Sequence, residues 1–126
     1  MTDSDDIGAI RATVQKYFDG MYRSDVKQQE QAFHPSAMVI GYASDGTLAE
    51  MSRGGFLTFV AGVPAPADND VPYDMEVVSV DRVASAASVK VRDLYLNRMF
   101  TDYLHLLKGE DGWQIVAKTF HSDPLD

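Results

Sequence analysis

Apolar residues recur at helical spacing in the first part of the chain, and they alternate with polar residues in the second part. When the chain is wound at 100° per residue, one helix face collects Ile7, Ile10, Val14, Phe18 and Met21. Ser4 stands before this stripe and can cap the helix, and Asp5 and Asp6 then fall in its first turn, where negative charge suits the helix dipole. The pattern predicts a long first helix and gives the two carboxyl groups a structural role.

A shorter second helix is predicted to follow. It begins at Ser24 or Asp25 and ends at His34, because the residue before Pro35 avoids the helical region. Its inward-facing residues are Val26, Ala32 and Phe33.

The rest of the chain is predicted to form strands and loops, with a third short helix at residues 52–61. Residues 37–42 form a strand, Asp45-Gly46 makes a hairpin turn, and residues 47–51 return beside it. Residues 62–72 contain three prolines and form a loop. The later strand candidates are residues 73–83, 86–96, 100–108 and 113–121. Helices that come first and strands that come last are typical of an α+β fold with an antiparallel sheet against helices.

Composition narrows the class of protein. The chain has 126 residues, of which 45% are hydrophobic and 24% charged, as expected for one globular domain over residues 1–126. It has no cysteine, which excludes disulfides, thiolate zinc sites, iron–sulfur clusters and a cysteine nucleophile. The net charge of −8 would repel nucleic acid and anionic membranes.

Motifs for nucleotides, metals and serine hydrolysis are missing from the sequence. The three histidines, His34, His105 and His121, lack metal-ligand spacing, so we expect neither a metal nor a cofactor. The acidic N-terminus does not resemble a signal peptide, and no stretch of about 18 apolar residues occurs. We therefore expect a cytoplasmic protein with no membrane contact.

The closing hairpin places a carboxyl group among apolar side chains. If Lys108 and Trp113 close its loop, one face of the sheet carries Phe100, Asp102, Leu104, Ile115, Ala117, Thr119 and His121. A buried carboxyl group must find hydrogen-bond donors or hold a proton, so Asp102 needs an explanation. A bulge in the hairpin would exchange the two faces beyond it.

Three stretches resemble the nuclear transport factor 2-like superfamily, and within it the lumazine-binding group. They are the helical Tyr-Phe with the following Gly20 and Asp25, the Phe33-His34-Pro35 step, and the closing hairpin with its Asp-Gly-Trp-Gln-Ile-Val turn. The resemblance covers almost the whole chain. It implies a cone-shaped, cystatin-like fold in which about three helices pack on a curved, mostly antiparallel sheet around an apolar pocket. It also implies a homodimer through the outer face of the sheet.

The superfamily includes ketosteroid isomerase, scytalone dehydratase and the SnoaL-like polyketide cyclases, which transfer protons next to a carbonyl group. In the isomerase a tyrosine and a protonated aspartate stabilise the oxyanion, and a second aspartate is the base. By resemblance, Tyr17 and Asp102 match the first pair, whereas the position of the base falls near Gly41, which has no carboxyl group. His121 is then the available replacement base. The expected ligand contacts are Val14, Phe18, Phe56, Phe100, Leu104, Ala117 and Thr119.

Three functions remain open from the sequence. The first is binding of a small carbonyl-bearing or aromatic molecule without turnover, and the second is a cofactor-independent isomerase, dehydratase or cyclase that uses the same pocket. The third is a protein–protein adaptor, which predicts an exposed apolar patch and a pocket too small for a ligand. Structural roles also compete at each residue: Tyr17 as a core tyrosine, Asp102 held by backbone donors or Arg92, and His121 as an exposed histidine near the C-terminus.

Overall fold

The computed structural model of the protein describes the backbone of residues 3–125 and the side chains of residues 5–125. The helices are α1 (Asp3–Arg23), α2 (Val26–Ala32) and α3 (Arg53–Ala61), and a 3₁₀ turn spans Pro66–Asp68. The strands are β1 (Phe33–Tyr42), β2 (Leu48–Ser52), β3 (Met75–Val83), β4 (Ala86–Tyr95), β5 (Arg98–Gly109) and β6 (Gly112–Pro124). Helices on a mostly antiparallel sheet confirm the predicted α+β class.

The first and last strands of the chain are neighbours in the sheet. The strand order is β2-β1-β6-β5-β4-β3, and β1 runs parallel to β6 while the other neighbours are antiparallel. Helix α1 buries most of its predicted stripe against the inner face of this sheet, where Ile10, Val14, Phe18 and Met21 join the core, while Ile7 is only partly buried. Among the described residues, none of the helices has the length and apolar character needed to cross a membrane.

Two predicted helix ends are wrong. Helix α1 begins at Asp3, so Ser4 lies inside it, and the side chain of Ser4 is outside the described residues. Helix α2 ends at Ala32 instead of His34, because Phe33 already pairs with β6 and starts β1. The start of α2 is capped by Asp25, whose carboxylate accepts hydrogen bonds from the backbone N–H groups of Lys27 and Gln28 at 3.1 and 3.3 Å.

Helix α2 packs tightly on the C-terminal half of α1. The Gln29 side-chain amide donates a hydrogen bond to the Tyr17 carbonyl at 3.0 Å. Gly20 makes this approach possible, since a Cβ there would lie 2.6 Å from Cγ of Gln29. The turn of α1 that carries Tyr17 is therefore held in place by α2.

Asp6 anchors the other end of α1 to the sheet. Its carboxylate accepts hydrogen bonds from Lys108 Nζ at 2.9 Å and Trp113 Nε1 at 3.2 Å, and Arg82 lies 3.4 Å away. These contacts, with the Lys108 hydrogen bond as the largest influence, lower the pKa of Asp6. The structural role predicted for Asp6 thus rests on tertiary ion pairs in addition to the helix dipole.

A β-bulge in β6 reverses the predicted facing of its second half. Leu106 pairs with Ile115 as predicted, but His105 pairs with Ala117, so Val116 is an extra residue in the ladder. From that point Asp102 lies opposite Phe120 instead of Thr119. The bulge turns the side chains beyond it to the opposite face from the one predicted.

Candidate functional site

A cavity of about 320 Å³ lies between the inner face of the sheet and helix α3. Most of its wall is apolar and is formed by Val39, Met51, Phe56, Phe59, Phe100 and Phe120. Asp93, Tyr95 and Lys118 supply polar groups to the same wall, and Arg98 and Ser122 also line it. Cavities that hold small molecules combine an apolar wall with a few polar groups in this way.

Two buried carboxyl groups lie close to this wall, one on its surface and one behind it. Asp102 is fully buried on β5, and Asp93 lies on β4 with 1% of its surface exposed. Val91 is the direct partner of Asp102, and Phe100 is the direct partner of Asp93, so the two aspartates are diagonal neighbours on one face. Asp93 lines the cavity, whereas Asp102 lies one layer deeper.

The two carboxyl groups are close enough to share a hydrogen bond once one of them holds a proton. Burial, followed by the negative charge of Asp102, raises the pKa of Asp93 well above its usual range, while Lys118 opposes this shift. Asp93 Oδ2 and Asp102 Oδ1 are buried without an N–H or hydroxyl donor from the described residues. A proton on Asp93, which its raised pKa favours, removes this deficit.

Tyr17 completes the chain of hydrogen bonds from the α1 side. Its hydroxyl group donates to Asp102 Oδ2 at 2.7 Å, and both residues are fully buried. Burial, reinforced by the charge of Asp102, raises the pKa of Tyr17, so the phenol remains a donor. Arg92, the cation considered from the sequence as a partner for Asp102, instead forms an ion pair with Glu76.

Tyr95 contributes a second polar group to the cavity wall next to Asp93. Burial, followed by the charge of Asp93, raises its pKa. Its hydroxyl group is buried without a hydrogen-bond partner in the described part of the chain. Leu96 and Asn97, both with positive φ, form the tight turn after Tyr95, and this turn ends β4 at the cavity.

Lys118 enters the cavity wall because of the bulge. It follows the extra residue in β6 and pairs with Leu104, so its side chain points inward and is only 6% exposed. Its ammonium group lies 4.6 Å from the ring centre of Phe56, 5.0 Å from that of Tyr17 and 5.6 Å from that of Phe120. Cation–π contacts of this kind stabilise a charge that is largely removed from water.

Apart from Tyr17 and Asp102, the predicted site residues divide into three groups. Phe56 and Phe100 line the cavity. Three others are packed in the core and do not belong to the cavity wall: Val14, Phe18 and Leu104. The remaining three lie on the outer face of the sheet: Ala117, Thr119 and His121. The prediction placed them on the inner face, and the bulge in β6 reverses it. His121 is 71% exposed on its side chain and contacts Asp123 at 2.9 Å, so it does not share a face with Asp102.

Gly41 leaves no room for the base that the resemblance places near it. A Cβ at Gly41 would lie 2.6 Å from the ring of Phe120. Phe120 thus fills the space that a side chain at position 41 would need.

Asp93 and Lys118 were missed as site residues, for different reasons. Asp93 follows Val89 and Val91 at two-residue spacing, so strand alternation alone puts a carboxyl group on the buried face. The same alternation that predicts burial of Asp102 therefore predicts burial of Asp93. Lys118 had no such signal, because the bulge that turns it inward has no distinctive sequence. Among the described residues, no cluster of three or more metal-ligating side chains occurs.

One family model and one curated protein match most of this chain. A family model described as "Putative lumazine-binding" matches residues 5–121. The aldolase FrzH of Cladobotryum sp. is 26% identical over 121 residues, which cover 96% of this chain and 94% of that protein.

Solved structures of similar proteins cover the whole fold. An NTF2-like protein of unknown function from Silicibacter pomeroyi is 28% identical, with a TM-score of 0.88 over 98% of this chain and 100% of that one. An NTF2-like protein of unknown function from Shewanella baltica is 27% identical, with a TM-score of 0.88 over 99% of each chain.

Proposed function

The chain belongs to the lumazine-binding family of NTF2-like proteins, and we propose that its cavity binds a small, mostly apolar molecule that carries a carbonyl group. One observation carries this proposal: an apolar cavity whose wall includes Asp93, with its raised pKa, and the hydroxyl group of Tyr95, which has no hydrogen-bond partner among the described residues. Two donors on a mostly apolar cavity wall suit one oxygen atom of a ligand.

The size and surface of the cavity favour a ring-bearing ligand. Its volume of about 320 Å³ is near the lower end of the roughly 300–1,000 Å³ that small-molecule sites occupy. Phe56, Phe100 and Phe120 present aromatic surface to it, and aromatic rings pack favourably on other rings.

Tyr17 and Asp102 act as positioning residues in this proposal. Both lie behind the wall, so the ligand meets Asp93. The Tyr17 hydroxyl group fixes Asp102 through its hydrogen bond, and the negative charge of Asp102 helps to raise the pKa of Asp93. This arrangement replaces the direct contacts of Tyr17 and Asp102 with the ligand that the resemblance implied.

A second candidate function is proton transfer at the carbon next to the carbonyl group. It is favoured by the carboxyl pair, since two carboxyl groups that share one proton can both donate and accept. The similarity to a protein named as an aldolase also supports it. The base in this case is the pair itself, because His121 is on the outer face and position 41 has no side chain.

The adaptor hypothesis predicted a pocket too small for a ligand, and the cavity volume counts against it.

We retain the proposal of a homodimer through the outer face of the sheet. That face exposes Met38, Tyr103 and Leu107, whose exposed fractions are 42%, 44% and 50%.

Calorimetric titration with acetophenone and with ethylbenzene tests the binding proposal, because the two molecules have similar apolar surface and differ in the carbonyl oxygen. The wild-type chain should bind acetophenone about tenfold more tightly, as expected for one or two additional hydrogen bonds. Asp93→Leu should remove this preference, and the control Arg92→Gln, outside the cavity, should keep it. Equal affinity of the wild-type chain for both molecules would contradict the proposal.

A further inference from the structure

Lys118 is a buried amine on the cavity wall that the binding proposal does not use. Its side chain is almost fully buried, and its ammonium group lies over the rings of Phe56, Tyr17 and Phe120. Within residues 5–125 the ammonium group makes only these cation–π contacts, and no carboxylate is near enough to form an ion pair with it. An ammonium group has three N–H donors, and all three are available to a molecule in the cavity.

The surroundings of Lys118 contain what imine chemistry requires. Asp93 lies on the same cavity wall and is close enough for Lys118 to influence its ionisation. The pair formed by Asp93 and Asp102 can exchange protons with a bound molecule. A purely structural lysine would be expected to reach solvent with its charged end, whereas this one ends between aromatic rings.

We propose that the amine of Lys118 forms a Schiff base with an aldehyde or ketone bound in the cavity. This inference rests on the proposed function, because the carbonyl compound must first occupy the cavity with its oxygen atom at Asp93 and Tyr95. It adds a covalent step and defines the ligand class as aldehydes and ketones, excluding esters and amides, whose carbonyl carbons do not form imines.

The step is balanced without a cofactor. The ammonium group gives one proton to the carboxyl pair, and the nitrogen then forms a bond to the carbonyl carbon while the π electron pair moves to oxygen. The oxygen takes one proton back from the pair, and the nitrogen then releases its second proton to the pair. The pair passes that proton to the hydroxyl group, which leaves as water while the nitrogen lone pair forms the C=N bond. The product is an iminium ion with one positive charge, and the carboxyl pair again holds one proton.

The aromatic rings can stabilise both the ammonium ion at the start of this step and the iminium ion at its end. The iminium ion carries the same charge as the ammonium group and occupies the same place over Phe56, Tyr17 and Phe120. Cation–π stabilisation therefore persists as the ammonium ion is converted into the iminium ion. A bound iminium ion also acidifies the neighbouring carbon, which links this inference to the proton-transfer candidate.

Trapping with benzaldehyde and sodium cyanoborohydride tests the inference, because the reductant converts an iminium ion into a stable secondary amine. Intact-protein and peptide mass spectrometry should find one benzyl group, on Lys118, with a rate that saturates as benzaldehyde is raised. Lys118→Met and Lys118→Arg should both lose this label, and the arginine variant keeps a cation over the rings. Lys90→Met is the matched control, since Lys90 lies 5.8 Å from the ring of Tyr103 and outside the cavity wall; this variant should keep the label.

The two proposals fail in different ways. If acetophenone binds with the expected preference but benzaldehyde labels Lys90 as fast as Lys118, the imine inference is wrong and the binding proposal stands. If acetophenone shows no preference over ethylbenzene and Lys118 is not labelled, both are wrong.

Discussion

Removing the hydroxyl group of Tyr17 tests the hydrogen-bond chain on which the site depends. In Tyr17→Phe the ring stays in place and Asp102 Oδ2 loses the donor at 2.7 Å in a fully buried position. A hydrogen bond to a charged group contributes about 1.5–3 kcal/mol to stability. For a domain of this size, we therefore expect the melting temperature to fall by roughly 5–15 °C.

Urea unfolding followed by tryptophan fluorescence measures this loss directly. Trp113 is the single tryptophan and is 4% exposed, so its emission should report global unfolding. Tyr103→Phe is the control, since Tyr103 is 44% exposed on the outer face of the same sheet; its substitution should change stability by less than about 0.5 kcal/mol.

Tyr17→Phe made in the Asp102→Asn variant separates the contribution of the charged hydrogen bond from that of side-chain packing. In Asp102→Asn the acceptor is a neutral amide, so Tyr17→Phe should cost only about 0.5–1.5 kcal/mol there. The reasoning would be refuted if Tyr17→Phe cost no more than Tyr103→Phe, or cost the same with Asp102 and with Asn at that position.

Three further predictions follow from the same contacts. Asp93 has a raised pKa, so its contribution to stability is complete below its ordinary value of 3.8 and is lost as pH rises through the folded-state pKa. The free energy of unfolding should therefore fall by up to about 1.4 kcal/mol per pH unit over that range, and Asp93→Asn should remove this decline. Urea unfolding at a series of pH values measures it. Asp6 has a lowered pKa, so its contribution to stability is present above 3.8 and is lost as pH falls through the folded-state pKa. Asp6→Asn should therefore reduce the loss of unfolding free energy at acid pH. An unchanged loss would exclude the contact between Asp6 and Lys108 as its cause. Gly41→Ala should destabilise the protein by about 1–3 kcal/mol, because its Cβ would meet the Phe120 ring; Phe120→Ala should reduce that cost, and equal costs in the two backgrounds would contradict the clash.

Local patterns predicted the elements and the class of fold well. The first helix, the hairpin turns and the order of helices before strands all follow from spacing and turn residues that are visible along the chain. The resemblance to NTF2-like proteins, and to the lumazine-binding group within them, is confirmed by the family model and the solved structures. Burial of Asp102 was also predictable, because its place in the alternation of β5 precedes the bulge in the partner strand.

The site itself was only partly predictable. A single extra residue at Val116 moved Ala117, Thr119 and His121 to the outer face and brought Lys118 to the cavity. Strand alternation has a period of two, so one inserted residue inverts every assignment after it. The pairing of Asp102 with Tyr17 and Asp93 joins α1, β4 and β5, and contacts between such distant segments leave no local pattern.

The sequence by itself determined where helices and strands form and which residues are apolar enough for the core, because these depend on neighbours within a few positions. The tertiary structure alone decided which polar groups meet at the cavity, since that depends on strand register and on contacts between residues far apart in the chain. Lys118 illustrates the difference: unbroken strand alternation would place it on the face opposite Asp102, and the bulge makes it a buried amine between aromatic rings.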